Sequence, residues 1–411
     1  MVAVGGESAI SCLLVLCIYY NHQNRYARVK RIFNMTSKER HERRYQRRVI
    51  SRLAKKQKMQ EKYDNFDKVF TYGNMMNSYR KCILGVRWKA STQRYILFAP
   101  YYAAQSLEEL REGTYKSKGF FEFDLIERGK ARHIRSVEIK ERVIQRCLCD
   151  YALVPMITRT FIYDNGASIK NRGYSFAVNR VSVHLQKHYK VYGNDGYVLL
   201  FDFSKFFDNV SHEVVFKSID SQFNDPKLNN LIKEFVKCFG NRGLGLGSQI
   251  SQVLALESAN RLDHLIKDKL GFKHYGRYMD DGYIISNSKK KLEFAIDRIK
   301  QVCAELGIVL NLRKTRIIKL SRGFTYLKVR FFVTPTGRII KKIYKRSVTR
   351  MRRKLKSFCN LVHCGKMTIE DVEIAFQSWC AYASNFNAYH TLHNMISLYN
   401  TLFPNARKVR I

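Results

Sequence analysis

Tyr278-Met279-Asp280-Asp281 lies between the run His274-Tyr275-Gly276-Arg277 and Gly282 with the apolar residues Tyr283, Ile284 and Ile285. The pattern predicts a strand, a tight turn and a second strand. Two adjacent carboxylates at such a tip repel each other, so the hairpin is poorly tolerated without a positive partner such as a divalent metal. A second apolar run, Val198-Leu199-Leu200-Phe201, delivers Asp202 at its end. Set beside the first tip, Asp202, Asp280 and Asp281 offer enough oxygen ligands for two magnesium ions roughly 3.5–4 Å apart, the arrangement that supports in-line phosphoryl transfer. In that chemistry one ion lowers the pKa of an attacking hydroxyl and the other stabilises the leaving pyrophosphate. Each strand alone means little, and the pair is the signal.

Composition sets the partner. The chain has 411 residues, with 74 Lys+Arg against 34 Asp+Glu, a formal charge of +40 and 45% hydrophobic residues. That describes a folded protein of two or three subdomains with a strongly cationic surface, whose natural partner is a polyanion such as nucleic acid. The 25 Tyr and 26 Phe add stacking capacity, although most must be core. The ten cysteines lack the paired spacing of a zinc site and are expected to be buried thiols in a reducing cytoplasm. Residues 9–20 form an apolar run with no Lys or Arg ahead of it, too short to span a bilayer. Residues 1–24 are therefore expected to be a disordered or miscalled extension, with no membrane association and a cytoplasmic location.

Residues 25–62 carry fifteen Lys/Arg and three Glu without Gly or Pro, which predicts a basic helical arm able to bind RNA. This arm opens a basic helical region over 25–90. Short β-rich runs alternate with helical stretches over 91–336. One helix is read from Leu256, Ala259, Leu262, Ile266 and Leu270 at three- and four-residue steps. From Lys341 to Lys356 nine of the sixteen residues are Lys or Arg and none is acidic, so 337–411 reads as a helical lobe with a basic face.

With both aspartate strands in place the chain resembles the reverse transcriptases, in order, through about 250 residues. Lys130-Ala131-Arg132-His133-Ile134-Arg135 with Arg142-Val143-Ile144-Gln145 resembles the first fingers motif, and Lys170-Asn171-Arg172-Gly173 the second, which supplies cations to the incoming triphosphate. The resemblance implies that Asp202 is a catalytic metal ligand, that the Phe203 carbonyl also faces metal, and that Phe207 is the steric gate selecting deoxynucleotides. Tyr278 to Asp281 matches the YxDD box. Asn311-Leu312-Arg313-Lys314-Thr315 resembles the motif whose lysine, here Lys314, protonates the leaving pyrophosphate. Phe324-Thr325-Tyr326-Leu327-Lys328 resembles the primer grip, to which Phe324, Tyr326 and Leu327 belong. The glycine-bearing loop Gly243-Leu244-Gly245-Leu246-Gly247-Ser248-Gln249, with Ile250, Ser251 and Gln252 after it, resembles that of the diversity-generating retroelement enzymes. Those commonly have Pro at the place of Gly245. Gly247 and Gln252 would then line the templating base pair, because backbone without side chains can approach it closely. Trp379-Cys380-Ala381-Tyr382 and Asn387-Ala388-Tyr389 resemble the thumb of the same group.

The expectation is an α/β (α+β) right-hand polymerase, with fingers and palm over 91–336 and a helical thumb over 337–411. It would copy an RNA template into cDNA with dNTPs and two Mg2+ ions, Mn2+ being the alternative. Its partners would be the template RNA, the cDNA/primer duplex and a small basic accessory protein. Retron or group II intron-like enzymes, a phage-defence reverse transcriptase and an inactive RNA-binding scaffold are the competing readings.

Overall fold

The computed structural model describes residues 36–127, 129–404 and 406–407, without the side chains of Glu127 and Lys130. The expectation for residues 1–24 lies outside the described residues. Two units separate, Met1–Lys62 and Tyr63–Ile411. In the first, helix α1 (Ser37–Tyr63) buries no residue, as its charge pattern predicts. It opens on a capping box: Thr36 Oγ1 accepts from the Glu39 N–H at 3.2 Å, while Glu39 Oε2 accepts from the Thr36 N–H at 2.7 Å.

The second unit begins with helices α2 (Tyr72–Cys82), α3 (Ala90–Leu97) and α4 (Ala99–Glu112), then an antiparallel hairpin of β1 (Phe121–Glu127) and β2 (Lys130–Ser136). Helices α5 (Ile139–Leu148) and α6 (Tyr174–Tyr192) precede β3 (Tyr197–Phe201). After α7 (His212–Gln222), α8 (Pro226–Lys237) and α9 (Gln249–Ser258) come β4 (Tyr275–Tyr278) and β5 (Asp281–Ser286). Helix α10 (Lys289–Glu305) leads to β6 (Arg316–Lys319). These last four strands form one antiparallel sheet in the order β4-β5-β3-β6. A second sheet joins β7 (Phe324–Tyr326), β8 (Val329–Val333) and β9 (Ile339–Ile343).

The period-two pattern of β3 and β5 explains their packing. Val198, Leu200, Tyr283 and Ile285 face one side, where Val178, Val181 and Leu185 of α6 and Phe324, Tyr326 and Phe331 of the second sheet bury them. Leu199 and Ile284 face the other and are fully buried too. A separate core holds the C-terminal helices α11 (Lys345–His363), α12 (Ile369–Ala383) and α13 (Tyr389–Leu402): Met351, Leu355, Val372, Phe376, Met395 and Tyr399 meet there. Arg346, Arg350, Arg352, Arg353, Lys354 and Lys356 stay exposed, giving the predicted basic face.

Two expectations are corrected. The apolar stripe Leu256, Ala259, Leu262 and Ile266 is fully buried, but it does not ride on one regular helix. The backbone breaks at Ala259 (ψ 1°), a short helix Asn260–His264 follows, and a wider turn Leu265–Lys269 ends the run. Nor are the cysteines all buried: Cys238 and Cys364 are exposed, because each caps the end of a helix where the chain turns into solvent. No helix among the described residues is long and apolar enough to cross a membrane.

Gly282 pairs with Phe201 at the heart of the main sheet, and a Cβ there would lie 2.2 Å from Cζ of the buried Phe201 ring. Gly282→Ala is expected to cost about 1–3 kcal/mol through this overpacking, read as a lower urea midpoint with unchanged m-value.

Candidate active site

The register Phe201↔Gly282 sets the end of β3 beside the β4–β5 turn, so Asp202 emerges next to Asp280 and Asp281. Asp202 is 4% exposed. Its carbonyl accepts from the Asn311 N–H at 2.8 Å, Phe203 bridges to Leu310, and the Ser204 N–H donates to Val309 at 2.7 Å. That pairing brings residues 309–315 under the carboxylate, where Lys314 Nζ donates to Asp202 Oδ2 and Asn311 Nδ2 reaches the same oxygen at 3.4 Å. The three aspartates and Lys314, read from separate segments, therefore meet at one point.

Burial, then the nearby charge and hydrogen bonding of Asp202, push Asp280 up to about 6. Burial again comes first for Asp281, with Asp280 and Asp202 adding repulsion, and it rises to about 7. Lys314 and Lys328 oppose that rise. Lys314 is held above its ordinary value, chiefly by its bond to Asp202. Among the described residues no three His, Cys, Asp or Glu side chains form a ready-made metal cage. The donor set is nonetheless all hard oxygen, crowded with like charge that a cation would relieve.

The turn is held from two sides. Tyr326 of the expected primer grip donates its hydroxyl to the Asp281 carbonyl at 3.1 Å, and Arg277 Nη1 donates to the Met279 carbonyl at 2.8 Å. Phe324 stacks on Phe331 with ring centres 5.4 Å apart. Met279 occupies the left-handed region (φ 54°), and so do Leu327 (φ 48°) and Lys328 (φ 62°) at the tip of the β7–β8 hairpin. The other described non-glycine residues with positive φ are Ser168, Asn171 and Lys205, in the loops that follow Ala167 and Asp202. Such backbone persists only where its surroundings enforce it; Met279 directly precedes Asp280, Lys205 follows Asp202 by three residues, and Lys328 lies close enough to act on Asp281. Composition gives no signal for this. Arg277 was equally hidden, although a lone cation in an apolar strand beside the turn is a readable hint.

The remaining candidates are held by contacts of their own. Phe207 is half-buried, and its carbonyl accepts from the Leu244 N–H at 2.7 Å, fastening the glycine loop to the turn that carries Phe207. At Gly245, where a proline was the expected form, a Cβ would lie 2.5 Å from the Phe239 ring, which itself stacks on Phe120. Gly247 (φ 122°) lies where a Cβ would approach the Arg135 carbonyl oxygen to 2.6 Å, and the Leu246 carbonyl accepts from the Arg135 N–H at 2.8 Å. The loop thus stitches the β1–β2 hairpin to Phe207. A cavity of about 220 Å3 beside it is lined by His133, Arg135, Asp208, Arg242 and the loop backbone. Gln252 Oε1 accepts from Ser168 at 3.2 Å, which joins it to the loop bearing the exposed Lys170. Arg172 donates to the Ile162 and Asn165 carbonyls and stacks over Tyr163 and Phe176, so its charge props that loop from within. Arg132 lies exposed on β2; the Lys130 side chain is outside the described residues.

A family model described as reverse transcriptase (RNA-dependent DNA polymerase) matches residues 118–331. No curated protein matches the chain. Among solved structures it is similar, at 12% identity, to telomerase from Candida albicans in complex with a TWJ fragment of telomeric RNA, with a TM-score of 0.43 over 75% of this chain and 65% of that one. It is similar also to apo telomerase from Candida tropicalis truncated from its C-terminal domain, at 12% identity and a TM-score of 0.41, over 54% of this chain and 55% of that one. The chain thus spans less than two thirds of either telomerase. The family match covers just over half of the sequence and includes both aspartate strands, the glycine loop and Lys314, and on that ground the chain belongs to the reverse transcriptase family, with its mixed helix-and-sheet right-hand fold.

Proposed function

We propose that the protein is an RNA-directed DNA polymerase that copies an RNA template into cDNA from dNTPs by two-metal nucleotidyl transfer. The observation that carries this is the meeting of Asp202, Asp280 and Asp281 with Lys314 at one end of the main sheet. Reverse transcriptases generally use divalent metal ions. Asp202, Asp280 and Asp281, with the Phe203 carbonyl, would hold two Mg2+ or Mn2+ ions, which when bound supply an activated 3′-hydroxyl and charge neutralisation at the pyrophosphate. Lys314 is the proton donor to that leaving group, since its ammonium stands at the carboxylates while more than half of its side chain remains accessible. Lys170 and Arg172, with Lys130 and Arg132, meet the triphosphate, and Arg172 also shapes the loop that presents Lys170. Phe207 crowds a 2′-hydroxyl. Gly247 and Gln252 face the templating pair, while Phe324, Tyr326 and Leu327 support the primer end. The exposed cations of α1 and α11 suit duplex and template backbone, gripping without reading sequence.

Within this activity the Gly243 to Gln249 loop supports a role in a diversity-generating retroelement, acting in the cytoplasm with a small basic accessory protein. A template repeat paired with a variable repeat beside the gene is the expected genomic sign, and an isolated gene in a defence island would overturn that role while leaving the activity standing.

Asp280→Ala with Asp281→Ala is expected to abolish magnesium-dependent dNTP incorporation in primer extension on RNA; persistence of incorporation would sink the site. Phe207→Ala should raise the use of rNTPs relative to dNTPs by on the order of tenfold or more, measured as the ratio of kcat/KM values. A third expectation comes from proton linkage. Folded-state values of about 6 for Asp280 and about 7 for Asp281 exceed the ordinary 3.8, so these two carboxyls bind more protons in the folded chain than in the unfolded one and their contribution to stability falls from about pH 4 to about pH 7. Asp281→Asn cannot ionise, and in urea it should be more stable than the parent by on the order of 2 kcal/mol at about pH 8 and equal to it near pH 4. Magnesium or manganese should raise the parent's Tm at about pH 8 and EDTA should reverse this, whereas the Asp280→Asn/Asp281→Asn variant should not respond.

A further inference from the structure

We propose that Arg277, clamped by Asp263, is a positioning residue that sets the shape of the Met279-Asp280 turn and through it the placement of the catalytic carboxylates. The inference deepens the polymerase reading and rests on it.

Arg277 and Asp263 have no exposed side-chain surface. The guanidinium meets the carboxylate in two parallel bonds, Nε to Oδ1 at 2.8 Å and Nη2 to Oδ2 at 2.7 Å, and Tyr275 donates its hydroxyl to the same Oδ1. Two donors remain. Nη2 also reaches the Leu256 carbonyl at 3.2 Å, beside the break at Ala259, and Nη1 reaches the Met279 carbonyl at 2.8 Å. The backbone is pinned as well: the Arg277 N–H donates to Asp164 at 3.1 Å, and its carbonyl accepts from Gly166 at 3.0 Å.

A buried ion pair is a poor way to gain stability, because the desolvation of both charges consumes most of their attraction, and apolar residues of similar size often do as well. What apolar residues cannot supply is the directed bond to Met279. That residue sits at φ 54°, a conformation a methionine takes only under constraint, and it immediately precedes Asp280. The fork of a guanidinium can hold Asp263 with one edge and the turn with the other, whereas a lysine offers a single point of charge. The break at Ala259 also gains a reason: it turns the Leu256 carbonyl and Asp263 toward one guanidinium.

The test replaces the buried cluster by apolar residues of similar volume, Tyr275→Phe/Asp263→Leu/Arg277→Met, and compares full-length variant and parent. The expected result is a Tm close to the parent's, a kcat for dNTP incorporation lower by on the order of a hundredfold with KM for dNTP nearly unchanged, and faster amide exchange at residues 279–282. A kcat within about threefold of the parent's, with exchange at the turn unchanged, overturns the proposal. Arg277→Lys keeps a charge for Asp263 and covers the case in which the triple variant does not fold. It should show the same loss of kcat and the same faster exchange, and parent-like values overturn the proposal. If the parent itself incorporates no dNTP the polymerase reading fails, and the exchange comparison alone decides whether Arg277 shapes the turn.

Discussion

The pairing of Phe201 with Gly282 is the constraint on which the site depends. Register in a sheet is quantised: a slip by one residue would turn every side chain of β3 to the opposite face and carry Asp202 away from Asp280 and Asp281. Here the register is fixed by burial on both faces, since Val198 and Leu200 face α6 and the second sheet while Leu199 is equally enclosed. Gly282 completes the lock, because only a residue without a side chain lets the Phe201 ring cross the strand at that point. The carboxylates are thus brought together by hydrophobic packing that has no chemical interest in them.

That packing works against electrostatics. Burial, and then the charge of neighbouring acids, raise the proton affinity of Asp280 and Asp281, and the fold supplies partial relief through Lys314 on Asp202 and through Lys328 toward Asp281. The relief is incomplete by construction, since a site that neutralised itself would have no affinity left for a cation. The neighbouring Arg277–Asp263 pair shows the contrary design, a buried charge met by an opposite charge and held in four side-chain hydrogen bonds from the guanidinium. Two acidic centres seventeen residues apart in sequence, Asp263 and Asp280, therefore do opposite work because of what surrounds them.

Much of this was legible in the sequence. The two acidic strand ends, the order of motifs around them and the basic helical lobe follow from patterns of hydrophobicity and charge that need no coordinates. The parts that were not legible share a cause: they depend on contacts between segments distant in the chain. Periodicity over 256–270 gives the buried stripe but not the break at Ala259, which is tied to Arg277 across the fold. Counting cysteines says nothing of which ones fall at helix ends. The role of Gly245 could not be read either, because its constraint is the ring of Phe239 and not its own backbone angle. Nor does the sequence show that Arg172 stacks over Tyr163 and Phe176 and donates to two carbonyls of a preceding loop.

The left-handed residues around the site carry a last consequence. Ser168, Asn171, Lys205, Met279, Leu327 and Lys328 each hold a conformation that costs on the order of 1 kcal/mol for a residue with a side chain. Together they approach the whole net stability of an ordinary domain, about 5–15 kcal/mol. The body of the protein holds these loops under tension, and loops under tension are the first to relax when the body softens. Heating or a distant core substitution should then release the turns around the aspartates while the helices and sheets still stand, so that the temperature at which the site loses its shape lies below the temperature at which the fold is lost.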